Sequence, residues 1–254
     1  MSNLRDTEIM RRPLIGVSIG GNTVEEFPSG FYLATQAGFH TVTVRLLYPA
    51  ESEAGSVGDA ITVSLSTGDK SDLYFTGVIY SAAPHGKYRE LLLADGYKKL
   101  CGTDFATAYR KEKAASILED ILGAAGIAEK SVTCPDVELA RFSTQTIPAR
   151  MCIDLLIDAL KEHGAEGLVY FFDEKDVFHF GTVADTGKNE GEAETFEIGK
   201  NITRSGSGWI EVLPRPIRHS REVTVNGKTL FTTRTDLTVS RSSSRLVLYL
   251  REAV

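Results

Sequence analysis

The feature that most constrains this chain is a change of hydrophobic period, from two to 3.6 and back to two. Side chains alternate across a strand but return every 3.6 residues on a helix, so one segment cannot satisfy both patterns. Ala60 to Leu65 alternates, with Ile61, Val63 and Leu65 on one face and Thr62 and Ser64 on the other. Phe39 to Leu46, Leu73 to Tyr80 and Tyr88 to Asp95 are further strand-like runs. Gly77 interrupts one of them, which implies a bulge or a close backbone approach. Pro49, Ser66 to Lys70 and Pro84-His85-Gly86 supply turn chemistry between the runs.

The period then lengthens. Ala114, Ile117, Leu118, Ile121 and Leu122 fall at helical spacing, and Gly126 follows as a C-terminal stop. A second helical stretch starts near Pro148 and carries Met151, Leu155, Ile157 and Leu160, with Gly164 as its stop. That stripe predicts a buried Leu155. Leu168 to Phe172 and Val177 to Phe180 read as a hairpin around Asp173-Glu174-Lys175-Asp176. Ala184 to Glu194 is a polar linker. Beyond it, 194–198, 209–213, 221–225, 230–235 and 245–250 read as strands, and Asn226-Gly227 is the pair favoured in a type I′ hairpin turn.

The expected fold class is therefore α+β and multidomain. A β-barrel-like, tube-type unit is expected over 12–98, a small α/β unit with two helices and a hairpin over 99–184, and a second β-rich unit over 185–254. The chain's 254 residues suffice for such a division.

Chemistry is sparse. No dinucleotide, P-loop, zincin or nucleophile-elbow motif is present. Gly16 to Gly21 is glycine-rich but opens no helix, so a turn is the better reading than a phosphate cradle. His163, His179, Asp173 and Asp176 could be assembled into a metal site on paper. A helix C-terminus accounts for His163, an alternating strand for His179, and a solvated turn for the acids. No metal, cofactor or catalytic residue is assigned. Cys101, Cys134 and Cys152 are odd in number and widely spaced, which fits neither a disulfide framework nor a metal pair and suggests a reducing compartment. Net charge is −6, which argues against a general nucleic-acid footprint. No apolar run reaches the ~18 residues of a membrane helix, and Met1 to Arg12 lacks the apolar core of a signal peptide. Arg215, Arg218 and Arg221 form a short basic cluster and are the candidate partner-contact patch.

In this order, several stretches resemble the tail hub proteins of contractile phages: the late control gene D products, or baseplate hubs, including the hub portion of type VI VgrG spikes. They are Leu73 to Ile79, Leu91 to Tyr97, Ala115 to Leu122 with Ala125-Gly126-Ile127, and Phe142 to Pro148 leading into Leu155-Leu156. Phe171-Phe172-Asp173, Val177 to Gly181 and Leu213 to Ser220 complete the series. The resemblance spans roughly 35 to 250 and rests on order rather than on any single motif.

It implies a non-enzymatic virion component with no cofactor, located at the tail baseplate and assembled in the host cytoplasm. It implies a homotrimer between a hexameric tail tube protein and a central spike protein, beside other baseplate proteins, with DNA passing through the lumen without specific binding. This chain is short for the family, which leaves open whether the last β unit is a full barrel. Two other readings compete: a tail-associated cell-wall hydrolase, which needs two poised carboxylates, and a carbohydrate- or receptor-binding module, which needs exposed aromatic platforms.

Overall fold

A computed structural model describes residues 13–36, 41–67, 70–186 and 193–252. Phe39, His40, Gly68 and Asp69, and most of the polar linker, lie outside the described residues. In chain order the elements begin β1 (Leu14–Ile19), β2 (Asn22–Thr23), β3 (Gly30–Gln36), β4 (Thr41–Pro49), β5 (Ala60–Thr67), β6 (Lys70–His85) and β7 (Tyr88–Ala94). Then come α1 (Tyr97–Gly102), β8 (Asp104–Lys113), α2 (Ala114–Ala124), β9 (Lys130–Val132), β10 (Glu138–Pro148), α3 (Ala149–Glu162), β11 (Leu168–Phe172) and β12 (Phe178–Thr182). The chain closes with β13 (Glu194–Phe196), β14 (Ile202–Gly206), β15 (Trp209–Val212), β16 (Glu222–Val225), β17 (Lys228–Ser240) and β18 (Ser244–Glu252). Strand makes up 55% and helix 14%, so the chain is mostly β.

The first and last β segments share one 13-stranded sheet. Its main path runs β14-β15-β18-β17-β3-β4-β7-β6-β5-β1-β2. The joint is β17 on β3, antiparallel from Arg234 opposite Gln36 to Ser240 opposite Gly30. Among the described residues the path has two ends and does not close, which corrects the expectation of a barrel in its closed form. One hydrophobic core serves both segments: Phe31, Leu46, Ile61, Phe75, Ile79 and Leu91 pack in the same cluster as Phe196, Val212, Val223, Leu237 and Leu248.

Gly77 is a close approach: a Cβ there would collide with the carbonyl oxygen of Ala94 on the neighbouring strand. Asn226 (φ 50°) and Gly227 (φ 78°) take the two positive-φ positions of the turn between β16 and β17. The glycine-rich stretch is the tight turn from β1 to β2, with Gly20 and Gly21 at positive φ.

Residues of about 97–182 carry a second core of their own. Every residue of the α2 stripe, from Ala114 to Leu122, is buried as expected. Helix α3 departs from the expected register: Leu155 is 45% exposed and Met151 40%. Ala149, Cys152, Ile153, Leu156 and Leu160 face the core instead. The hairpin of β11 and β12 forms as expected, and β9 adds to it in parallel. Strands β8 and β10, unforeseen in the sequence, make a separate two-stranded ribbon.

Candidate functional site: a buried arginine at the junction of the cores

The strap from Leu213 to Arg221, between β15 and β16, crosses the junction of the two cores. Pro214 and Pro216 remove two backbone donors, which keeps it out of the sheet ladder. Ile217 anchors it, 4% exposed in the β core. Thr232 on β17 fixes its end: the hydroxyl donates to the Arg218 carbonyl at 2.8 Å and accepts from the Arg221 N–H at 2.8 Å. Ser220 (φ 60°) donates its N–H to the Thr232 carbonyl.

The three candidate arginines have different surroundings. Arg215 pairs with Glu194 at 2.8 Å and lies 5.3 Å from the Phe196 ring centroid. Arg218 turns inward. Its guanidinium donates to the Tyr74 carbonyl and sits 3.7 Å from Glu174. Burial pulls its pKa down, and the charges of Glu174, Asp95 and Asp173 oppose that pull. Arg221 is half-buried on the wall of a cavity of about 430 Å³. The strap thus holds an inward brace at Arg218, not three side chains on one open face.

The hairpin tip supplies the other half of the junction. Asp173 accepts from the Lys175 and Val177 N–H groups, both at 2.9 Å, and from His179 Nε2 at 3.1 Å. Burial disfavours its charge, but these hydrogen bonds outweigh that and hold its pKa below the ordinary value. Asp176 (φ 65°) accepts from the Gly96 N–H at 2.6 Å. Burial pushes its pKa up to about 6, with Asp95 and Asp173 adding to the rise. The tip acids are therefore half-buried structural acceptors, which corrects their reading as ordinary solvated turn residues. Gly96 fits under this tip because a Cβ would strike the Phe172 ring.

Between strap and hairpin, Phe171 is flanked by two imidazoles. The His179 ring stacks on it at 5.0 Å and 11°, and the His219 ring meets it edge-on at 5.2 Å and 86°. His219 is 2% exposed, and its N–H reaches the Thr35 hydroxyl, itself 2.7 Å from the Thr235 hydroxyl. Strap, hairpin, β3 and β17 thus meet in one network. The Glu174 and Arg218 pair separates the larger cavity from one of about 260 Å³ floored by Leu33, Leu237 and Leu246.

This arrangement clamps one unit on another. Among the described residues no group of three or more His, Cys, Asp or Glu has the arrangement of a metal site. His163 caps α3, and the His179 imidazole is held by Asp173. Cys152 is buried in its helix, and burial pushes the Cys134 thiol up to about 11, so neither is poised as a thiolate. Asp95, Glu174 and Asp176 were not identified in the sequence as junction residues. The spacing of Asp173 and Asp176 around a tight turn was visible, but nothing local shows that the turn is covered.

No family model matches the sequence, and no curated protein matches it. Solved structures do match its shape, and the fold they define is that of phage tail proteins and a related type VI secretion component. The 43 kDa tail protein of prophage MuSo2 from Shewanella oneidensis superposes with a TM-score of 0.75 at 10% identity, covering 95% of this chain and 98% of that one. The tail protein of Neisseria meningitidis MC58 gives 0.68 at 11% identity, over 95% and 97%. An E. coli component of the type VI secretion system, described as structurally similar to the T4 tail proteins gp27 and gp5, gives 0.65 at 13% identity over 94% and 77%.

Proposed function

We propose that this chain is a non-enzymatic structural component of a contractile phage tail or a phage-derived injection particle. In this reading it is a homotrimeric baseplate hub between a hexameric tail tube and a central spike, in contact with other baseplate proteins. It is assembled in the host cytoplasm and resides in the virion baseplate. The observation that carries the reading is the 13-stranded sheet made by both ends of the chain, with the shape likeness over 95% of its length. Among the described residues such a sheet has open edges at β14 and along β1, where β2 pairs with Ser18 and Ile19 and the Val24 N–H reaches the Val17 carbonyl. Free edges recruit strands, and neighbouring copies can cover them.

The units 12–98 and 185–254 are proposed as two barrel-like tube walls per protomer, with 99–184 as an α/β insert between them. Three protomers would then present six similar walls to a sixfold tube. A net charge of −6 suits a lumen through which DNA passes without adhering. The strap with Arg215, Arg218 and Arg221 is proposed to serve a contact with an acidic partner, with Arg218 acting as the internal brace that shapes it. Multi-angle light scattering on the purified protein, followed by electron microscopy of the particle's tail end, tests the reading. Three copies on the tube axis are expected. Any other stoichiometry, or a position off the axis, overturns it.

A further inference from the structure

Two surfaces carry charge that the protomer leaves unmatched, and they have opposite signs. The first is the ribbon of β8 and β10. Its inner face packs Leu139, Phe142 and Tyr109 on the helices. On its outer face Arg110 stands directly opposite Arg141, and both are exposed. Side chains paired this way are ~5 Å apart at Cβ, so two like charges face each other at a cost. Among the described residues neither guanidinium has an ion pair, whereas Arg45 pairs with Glu90, Arg215 with Glu194 and Arg234 with Asp236. What sets this pair apart is that its two cations face each other directly across the ladder. Next to them the face is flat and small, with Ala108 opposite Ser143.

The second surface is made by two loops at one end of the β core. Ser52 donates to Glu26 at 2.5 Å and so ties the 24–29 loop to the 50–59 loop. Glu25, Glu26, Glu51 and Glu53 are all exposed there, and none forms an ion pair among the described residues. The nearby Arg89 is spent on the carbonyls of Ser52 and Gly55. Phe27, 68% exposed, and Val57, 64% exposed, stand on the same loops. An apolar pair rimmed by charge is the composition of a contact centre, not of a solvated loop.

We infer that the acidic loops of one copy dock on the Arg110 and Arg141 face of the next copy, in a head-to-tail contact. The charges are complementary, and a carboxylate set between the two guanidinia accepts from both and removes their repulsion. Phe27 and Val57 would lie on the flat small-residue face beside them. A contact between two different patches closes into a ring when the rotation permits, as a trimer requires. The inference rests on the proposed homotrimer and adds which surfaces make it.

The test is a charge swap read by light scattering across a dilution series. Arg141→Glu alone should raise the protomer's thermal midpoint, because Arg110 gains a facing carboxylate, while shifting assembly to at least ~10-fold higher concentration. Misfolding cannot move those two readings in opposite directions. Arg110→Glu with Arg141→Glu, and separately Glu51→Lys with Glu53→Lys, should each weaken assembly. All four changes together should restore it. If the wild type is trimeric and the variants assemble like it, the docking assignment fails and the trimer stands. A swap that is no better than its halves also overturns the assignment. A wild type that stays monomeric at every concentration overturns the trimer and the docking contact together.

Discussion

The two cores are built from opposite kinds of contact. The α/β core draws on one continuous stretch of about 97–182, and its helix packing, α2 on α3, joins elements with only β9 and β10 between them in sequence. The β core needs both ends of the chain: Leu237 on β17 sits opposite Leu33 on β3, about 200 residues away in sequence. Closing a long loop costs little more entropy than closing a medium one, but that cost precedes any reward from contacts. The insert therefore behaves as a local folding unit and the sheet as a global one.

The sharpest way to break this comparison is to separate the parts. A fragment of residues 97–182 should fold alone, with a cooperative urea transition by circular dichroism, whereas a fragment of 13–95 should not. A non-cooperative insert would mean that its stability comes from the junction. Next in size is Gly77→Val, expected to destabilise the β core by at least ~3 kcal/mol, because the colliding atom is backbone and cannot step aside. Chemical denaturation of the full chain, with Trp209 fluorescence on the β core and helical ellipticity on the insert, should show the β transition moving first.

Within the insert, Leu156→Ala should cost ~2–5 kcal/mol and Leu155→Ala less than ~0.5, since only Leu156 is buried. Equal effects would mean that α3 is rotated from the position described. Asp176→Asn has a smaller effect than Leu156→Ala and probes the junction through pH. The Asp176 pKa rises from 3.8 unfolded to about 6 folded, so the folded state holds the extra proton between those values. Its stabilising contribution is fully present below pH ~4 and is lost as pH rises through 6. Discounted for partial exposure, removing the charge should stabilise the chain by ~1–2 kcal/mol at pH 7.5 and by little at pH 4. Thermal midpoints of both proteins at the two pH values check this. A pH-independent difference would mean that the Asp176 charge does not act at the junction.

Where the pattern of the sequence was local, it was legible. Helix α2 shows one apolar stripe among Ser116, Glu119 and Asp120, and its register admits one solution. In α3, Leu155, Leu156 and Ile157 are consecutive, so two stripes compete. Cys152 and Ala149, small and easily discounted, decide for the one through Leu156. Strands β8 and β10 escaped notice because Ala, Thr, Arg and Glu occupy much of them, and Phe105, Tyr109, Leu139, Phe142 and Ile147, which mark the inner face, are too widely spaced to alternate. The site was less legible still. Arg218 was visible as a charge, but its inward turn depends on Glu174 and Tyr74, 44 and 144 residues away.

The joint between β17 and β3 also sets an order on synthesis. Ribosomes deliver the chain from its N-terminus at ~5–20 residues per second, so β3 emerges seconds before its neighbour. The insert has time to fold in that interval, while one flank of β3 stays without its strand until β17 arrives about 200 residues later. A message broken between β12 and β17 would yield a polypeptide with a finished insert and an unfinished sheet, exposing a ready template for aggregation. The late strand thus acts as a progress check: only a copy translated through β17 hides the edge of β3.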